Sequence, residues 1–155
     1  MPTPATEPRT AHSLPARTQG FTLIELMIGL AVVAILAMLA YPSLIGYLNR
    51  NKVRAATSDL AALDLLVQNV YQQQLNYNLG AGNANCTAPL NSTAKVKACL
   101  TGFQPQQASA FAYGITYDNT TYTLSATGAG ALSGCTLSLN QANSRTASGC
   151  PVSNW

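Results

Sequence analysis

The chain has 155 residues and a formal net charge of +3, which is enough length for one domain with an extension and too little charge to indicate a dedicated duplex-DNA binder. Charged residues make up 8% of the chain, against ~25% in soluble domains, whereas the apolar share is ordinary. With one histidine and five acidic residues, few side chains can serve acid-base or metal chemistry, so we expect neither an enzyme nor a cofactor.

A long apolar segment dominates the first third of the chain. Residues 1–20 are rich in proline and threonine and predict no folded element, and residues 26–48 contain no Asp, Glu, Lys or Arg. At ~1.5 Å per residue, a helix of the second stretch spans ~35 Å, more than the ~30 Å hydrocarbon core of a bilayer. The stretch is also longer than the ~7–15 apolar residues of a secretory signal peptide. It therefore predicts a membrane span.

The four cysteines indicate which side of the membrane the rest of the chain occupies. All of them follow the apolar segment, without C-x-x-C spacing and without a nearby histidine. Disulfides in an oxidising compartment therefore fit better than zinc, and we expect the C-terminal part outside the cytoplasm. Sequence proximity favours Cys86 with Cys99 and Cys135 with Cys150, while the nested pairing, Cys86 with Cys150 and Cys99 with Cys135, stays open.

The junction before the apolar segment carries a motif and reads RTQGFTLIELM over residues 17–27. A basic leader ending in Gly20, then Phe21, then Thr-Leu-Ile-Glu and an apolar helix resembles the processing motif of type IV prepilins. The resemblance is specific over residues 16–55 and implies that a prepilin peptidase cleaves between Gly20 and Phe21 and N-methylates the Phe21 amine. The leader is longer than the few residues usual in that family.

Glu25 lies at the start of the apolar segment, where a carboxylate costs ~2.5–3.5 kcal/mol on insertion scales. Cleavage before Phe21 creates a cationic amine four residues away. In a filament of parallel helices we expect Glu25 to meet the Phe21 amine of a neighbouring subunit, or its own, and so to fix the register between subunits. The alternative is a carboxylate resting at the lipid headgroups. The first helical turn also favours a negative charge at this position.

The helix is predicted to continue to Gln74. Pro42 predicts a bend, because it lacks a backbone donor and crowds the preceding turn. Asp59 and Asp64 do not converge as a carboxylate pair, and we expect them on the solvated surface. Apolar residues then recur every three or four positions, which predicts one buried face. That stripe consists of Val53, Ala56, Leu60, Leu63, Val67 and Val70.

Residues 80–110 predict an irregular, disulfide-tied connection, and strands follow it. Alternating residues predict strands over 111–117 and 122–126, joined by a turn at Asp118 and Asn119. A third strand is expected over 135–139 and a fourth over 144–147. The expected fold class is α+β, with a long N-terminal helix packed on an antiparallel sheet of three or four strands.

This fold resembles the αβ-roll of type IV pilins. The resemblance implies three parts: a cleaved leader over residues 1–20, a membrane and polymerisation helix over 21–52, and a globular head over 53–155. It also implies that the loop closed by Cys135 and Cys150 serves as a surface determinant.

The function implied by the resemblance is structural. The chain looks most like a PilE-type minor pilin, which is held in the inner membrane with its head in the periplasm and then assembled with other pilins into an extracellular pilus. The implied partners are the prepilin peptidase, an assembly platform, assembly and retraction ATPases and an outer-membrane secretin. The implied uses are twitching motility, adhesion and natural transformation.

Two alternative functions remain open at this stage. The first is a DNA-binding competence pilin, with Lys95, Lys97 and Arg145 on DNA phosphates and tyrosines 113, 117 and 122 either stacking bases or packing the sheet. The second is a type II secretion pseudopilin. Calcium ligands in the C-terminal region would favour it, but no Asp or Glu follows Asp118.

Overall fold

A computed structural model describes residues 20–155, so the leader apart from its last residue lies outside the described part of the chain. The first helix, α1, covers Leu23–Gln74, and a short helix, α2, covers Thr93–Cys99. Four strands follow: β1 (Phe111–Tyr117), β2 (Tyr122–Gly128), β3 (Thr136–Asn140) and β4 (Arg145–Ser148). Single 3₁₀ turns lie at Ala84–Cys86 and Gly130–Leu132.

The described residues fall into two units, 20–39 and Ala40–Trp155. In the first unit the apolar side chains are exposed. Among residues 20–155, α1 is the one helix long and apolar enough to cross a membrane. Pro42 lies inside α1, which is helical on both sides of it, and the bend at Pro42 stays a prediction.

The second unit contains an antiparallel sheet in the order β1-β2-β3-β4. In the first hairpin Tyr117 pairs with Tyr122, and β2 then pairs with β3 and β3 with β4. The four strands agree with the alternating patterns in the sequence. The α+β architecture, a long apolar helix followed by an antiparallel sheet, is confirmed.

The core lies between one face of α1 and one face of the sheet. Five of the six residues of the predicted helix stripe are completely buried, and Val70 is partly buried. Their partners are alternate residues of the strands, as a half-buried sheet requires. The main ones are Phe111, Tyr113, Ile115, Leu124, Ala126, Leu137 and Leu139.

The prediction that Asp59 and Asp64 are solvated was wrong. Asp59 is 5% exposed, and it accepts hydrogen bonds from the backbone N–H groups of Gln106 and Gln107 at 3.1 and 3.0 Å. Asp64 is partly buried and accepts a hydrogen bond from the hydroxyl of Tyr122. Both carboxylates lie on α1 next to a residue of the buried stripe, which places them at the border of the core.

The connection over residues 80–110 is more ordered than predicted, because it contains α2 and the 3₁₀ turn. The hydroxyl of Ser92 caps α2 by accepting a hydrogen bond from Lys95 N at 3.4 Å. Serine is a preferred residue at this position because its oxygen satisfies a free donor of the first helical turn. At seven residues, α2 is too short to give a readable periodicity.

The disulfides join Cys86 to Cys99 and Cys135 to Cys150, the pairing favoured by sequence proximity. The first ties the 3₁₀ turn to the last residue of α2, and the second closes the β3–β4 hairpin region. Beside the second disulfide, Gly149 has φ +65°, and a Cβ there would lie 2.3 Å from Gly134 O. Only glycine fits at this position.

Candidate functional site

The predicted cleavage site lies immediately before α1. Gly20 and Phe21 precede the helix and are exposed, and the Phe21 side chain is 82% accessible. A Cβ built on Gly20 would meet no atom within 4 Å. The described part of the chain therefore gives no steric reason for glycine at this position, and the cleavage site stays a prediction.

The first turn of α1 has a capping arrangement that was not noticed in the sequence. The Thr22 hydroxyl accepts a hydrogen bond from Glu25 N at 3.3 Å. Threonine followed three residues later by glutamate is the pattern of a capping box, in which the first side chain satisfies a free backbone N–H of the helix. The Thr-x-x-Glu spacing was the available signal. Thr22 thus fixes where the helix begins, two residues after Gly20.

Glu25 lies on the same helix face as Phe21 and Gly29, at a spacing of four residues. These three residues, with Leu26 and Leu30, surround a shallow hollow of about 380 Å³. The hollow is apolar except for the carboxylate, and the next cationic residue along the chain is Arg50. A carboxylate in such surroundings is costly inside a membrane unless it pairs with a cation or reaches the lipid headgroups.

Gly29 has no steric role within its own unit, since a Cβ there would meet no atom within 4 Å. Glycine inside a helix costs roughly 0.5–1 kcal/mol relative to alanine. Small residues at such positions allow two apolar helices to approach closely. The face formed by Phe21, Glu25 and Gly29 is therefore suited to contact with a second helix, and we call it the assembly face.

The three cations of the DNA hypothesis do not come together. Lys95 and Lys97 lie on α2, which packs at the β1 edge, where the Thr93 hydroxyl accepts a hydrogen bond from Tyr113 N at 3.0 Å. Arg145 lies on β4, at the opposite edge. Three strand spacings of ~4.8 Å separate these edges. The structure thus does not unite these residues in one patch.

The tyrosines contribute to packing rather than to an exposed surface. Tyr113 and Tyr122 are 0% and 2% exposed, and Tyr117 is partly buried and donates its hydroxyl to Cys86 O. Burial raises the pKa of Tyr113 far above its ordinary value, and the adjoining Asp59 raises it further. Burial likewise raises the pKa of Tyr122, with Asp64 as the second cause. These side chains are not available for base stacking.

A second hollow, of about 380 Å³, lies between α1 and the C-terminal segment. Arg54, Thr57, Arg145 and Trp155 are among its lining residues, and we call it the arginine groove. The guanidinium of Arg145 lies 5.2 Å from the centre of the Trp155 ring, whose Nε1 donates to Thr146 O at 2.9 Å. The sequence gave no hint of this groove because its two arginines are far apart along the chain.

Residues 20–155 form no metal site. The part of the chain that the structure describes contains no group of three or more His, Cys, Asp or Glu residues able to hold a metal ion. The carboxylates at 59 and 64 are engaged by different tyrosines, on different strands. The chemistry of the described residues is therefore concentrated at the assembly face and the arginine groove.

Comparison with known proteins gives two findings. Residues 15–41 match the family model described as the prokaryotic N-terminal methylation motif. The chain is also 39% identical over 62 residues to the type IV major pilin protein PilA of Myxococcus xanthus strain DK1622, a match that covers 40% of this chain and 28% of the relative. No solved structure matches the chain significantly. The two findings confirm the resemblance to the type IV pilin family that the motif around Gly20 indicated.

Proposed function

We propose that the chain is a structural subunit of a type IV pilus, made as a prepilin and assembled into filaments after its leader is removed. The observation that supports this most is the arrangement at the start of α1. An exposed Gly20–Phe21 bond directly precedes an apolar helix, in which Glu25 is the one carboxylate before residue 49. Cleavage would place a new amine four residues from that carboxylate.

The assembly face supplies the contacts that favour assembly of the processed subunit into a filament. Before assembly the apolar side chains of residues 23–48 contact lipid, and in the filament they contact the helices of other subunits. The exchange is nearly neutral for apolar surface, so close packing at Gly29 and the pairing of Glu25 with the methylated Phe21 amine favour the assembled state. Because pairing with a cation lowers the free-energy cost of Glu25 among apolar helices, it favours one register among many apolar ones.

We further propose that the prepilin lies in the inner membrane with residues 53–155 in the periplasm, and then becomes part of an extracellular pilus. Both disulfides lie in the unit Ala40–Trp155, which fits an oxidising compartment. The partners in this proposal are other pilins, the prepilin peptidase, the assembly platform, the ATPases and the secretin. Twitching motility, adhesion and DNA uptake are the uses that the family suggests.

Whether the chain is a major or a minor subunit of the pilus is a separate question. The sequence looks most like a PilE-type minor pilin, whereas the curated relative from Myxococcus xanthus is a major pilin. We keep the minor subunit as the finer proposal, because the resemblance to the relative covers 28% of that protein. The ratio of this chain to other pilins in isolated filaments decides between the two.

Intact mass spectrometry of sheared surface filaments and of membranes from the source cell tests the function. We expect the filaments to contain the form that begins at N-methylated Phe21 and carries two disulfides. A processed form found in membranes alone would instead favour a type II secretion pseudopilin. A chain that keeps residues 1–20 would contradict the processing step and with it the proposed function.

A further inference from the structure

The head contains very few free negative charges. Residues 40–155 include three acidic side chains, Asp59, Asp64 and Asp118. The first two accept hydrogen bonds from the hydroxyls of Tyr113 and Tyr122 inside the head. Asp118 is exposed, and it is the one head carboxylate not used to hold the sheet on α1. Among these three side chains, Asp118 is therefore the exposed carboxylate that is free to bind another molecule.

Asp118 lies in the turn between β1 and β2 and is firmly oriented there. Its Oδ1 accepts hydrogen bonds from Thr120 N at 2.6 Å and Thr121 N at 2.7 Å, and its Oδ2 accepts one from the Thr121 hydroxyl at 2.8 Å. The Thr120 hydroxyl also donates to Oδ1, at 3.0 Å. These bonds lower the pKa of Asp118 from 3.8 to about 2, with the bond from Thr120 N as the largest cause. The side chain is a fixed anion at neutral pH.

The turn lies at the end of the head where α1 finishes. Tyr77 N donates to Asn119 O at 3.1 Å, three residues beyond the last residue of α1. The arginine groove lies near the other end of the head portion of α1, around Arg54. The helix between Arg54 and Gln74 is ~30 Å long at ~1.5 Å per residue. The turn joins β1 to β2, whereas Arg145 lies on β4 at the opposite edge of the sheet, so the anionic turn and the cationic groove lie on different surfaces of the head.

The arginine groove contains the positive charges that bind a carboxylate. Arg54 and Arg145 both border it, and Asn154 and Thr57 add polar groups. The Trp155 ring under Arg145 and the bond from Arg145 Nε to Asn143 Oδ1 at 3.0 Å hold that guanidinium in place. An oriented guanidinium loses less side-chain entropy when it binds a carboxylate.

We propose that the Asp118 turn of one copy binds in the arginine groove of the next copy along the filament. This inference rests on the proposed function and on the major-pilin alternative, in which copies of this chain are neighbours in the filament and all point in the same direction. In such an assembly a contact joins two different surfaces of the molecule and repeats without closing. Opposite charges on two different surfaces of the head meet this condition, whereas two turns or two grooves would repel each other.

The expected strength of one such contact is small, because exposed ion pairs contribute about 0.2–1 kcal/mol each. The same contact recurs in every subunit of a filament, and each copy is partly removed from water by its neighbours. The contact therefore acts on the stability of the filament rather than on the fold of one subunit.

A zero-length cross-link tests the contact directly. Arg54→Lys keeps the positive charge and supplies an amine that a carbodiimide joins to a carboxylate. In sheared filaments of this variant we expect an isopeptide between position 54 and Asp118, identified by mass spectrometry. The helix from Arg54 to Gln74, beyond which the Asp118 turn lies, is ~30 Å long, so we expect the link to join two copies. It should be absent from the detergent-dispersed full chain.

Asp118→Asn provides the second measurement, because the asparagine Oδ1 still accepts the bonds from Thr120 and Thr121 N without the charge, and only the bond from the Thr121 hydroxyl to Oδ2 is lost. We expect at least a threefold loss of filament from the sheared fraction, with Lys97→Gln, an exposed cation on α2, as the unchanged control. Filaments that form normally in Asp118→Asn and give no link in Arg54→Lys would overturn the contact and leave the pilin function intact. If the unmodified chain formed no filaments, the proposed function itself would fail.

Discussion

The hydroxyl of Tyr113 donates to Asp59 Oδ2 at 2.5 Å and so connects β1 to α1 across the core. The same carboxylate accepts the backbone N–H groups of Gln106 and Gln107, in the loop that leads into β1. One buried side chain of the helix therefore holds both the strand and its entry loop. Buried polar groups are stable in such a place only when their hydrogen bonds are complete.

Replacement of Asp59 by alanine is expected to destabilise the head by roughly 3 kcal/mol, because three donors lose their acceptor. Tyr113→Phe removes one donor and leaves the other two bonds of Asp59 in place, so we expect a loss of about 1.5 kcal/mol. Urea unfolding of the detergent-solubilised full chain, followed by near-ultraviolet circular dichroism, measures both values. Equal losses for the two variants would contradict the role given to the loop N–H groups.

The helix and the strands were predictable because both depend on local patterns. The stripe from Val53 to Val67 repeats every three or four residues, and its members are completely buried. The alternation over 111–117 marks β1 in the same way. The periodic spacing of core-facing side chains can be recognised from the local sequence, without reference to the rest of the chain.

The polar contacts were not predictable, because each depends on residues far apart along the chain. Asp59 meets Tyr113 and Asp64 meets Tyr122 only once the sheet is placed on α1. From the helix alone, both carboxylates looked solvated. At the start of α1 the sequence motif predicts the cleavage site. The Thr-x-x-Glu spacing is the sequence signal for the capping role of Thr22.

The buried tyrosines predict a loss of stability at alkaline pH. Burial raises the pKa of Tyr113 above its ordinary 10.0, so the folded chain keeps a proton that the unfolded chain releases. The contribution of Tyr113 to the free energy of unfolding is complete below about pH 10. It is lost as the pH rises further, because folding then requires proton uptake. Tyr122 acts in the same direction.

We therefore expect the unfolding free energy to fall above about pH 10, and to fall less steeply in Tyr113→Phe, by up to one bound proton. Unfolding of the full chain at a series of alkaline pH values measures the slope, and Tyr71→Phe, a partly exposed residue, is the control. If Tyr113→Phe and the original chain showed the same slope, the tyrosine would not be the titrating group.

The two disulfides are expected to contribute differently to the stability of the head. Both close short loops, with separations of 13 and 15 residues, which gives each ~3 kcal/mol from loop entropy. Cys86 and Cys99 are 2% and 5% exposed, so both sulfurs of the first pair are buried, whereas in the second pair Cys135 is 1% exposed and Cys150 is only partly buried. Loss of the first pair therefore removes two buried sulfurs from the core, and loss of the second removes one.

We expect the double change Cys86→Ala and Cys99→Ala to lower the midpoint of thermal unfolding more than Cys135→Ala with Cys150→Ala does. Circular dichroism of the full chain in detergent measures both midpoints. A larger loss for the second pair would show that the C-terminal loop, rather than the connection around α2, limits the stability of the head.

Substitution at Gly20 tests the processing site without disturbing the fold. A Cβ there meets no atom within 4 Å, so Gly20→Val is expected to leave the near-ultraviolet spectrum unchanged while the leader stays attached in the source cell. Intact mass spectrometry of membranes distinguishes the two forms. Gly29→Ala is the matched control, which should be processed fully and yet yield less filament. Normal processing of Gly20→Val would exclude cleavage after this residue.

The last prediction separates the charge of Glu25 from its place in the first helical turn. Glu25→Gln keeps a polar side chain of the same size but cannot pair with the Phe21 amine. We expect a chain that is cleaved and methylated and yet is at least tenfold depleted from sheared filaments, since register between apolar helices then has no ionic determinant.

Thr22→Ala removes the hydroxyl that accepts from Glu25 N and is the variant to compare with Glu25→Gln. It is expected to cost about 1 kcal/mol of helix stability, as the loss of an N-cap does, and to reduce filament yield much less than Glu25→Gln. Quantification of processed chain in membranes and filaments measures both effects. If Glu25→Gln assembled like the original chain while Thr22→Ala did not, the glutamate would act as part of the cap, and the pairing between subunits would be wrong.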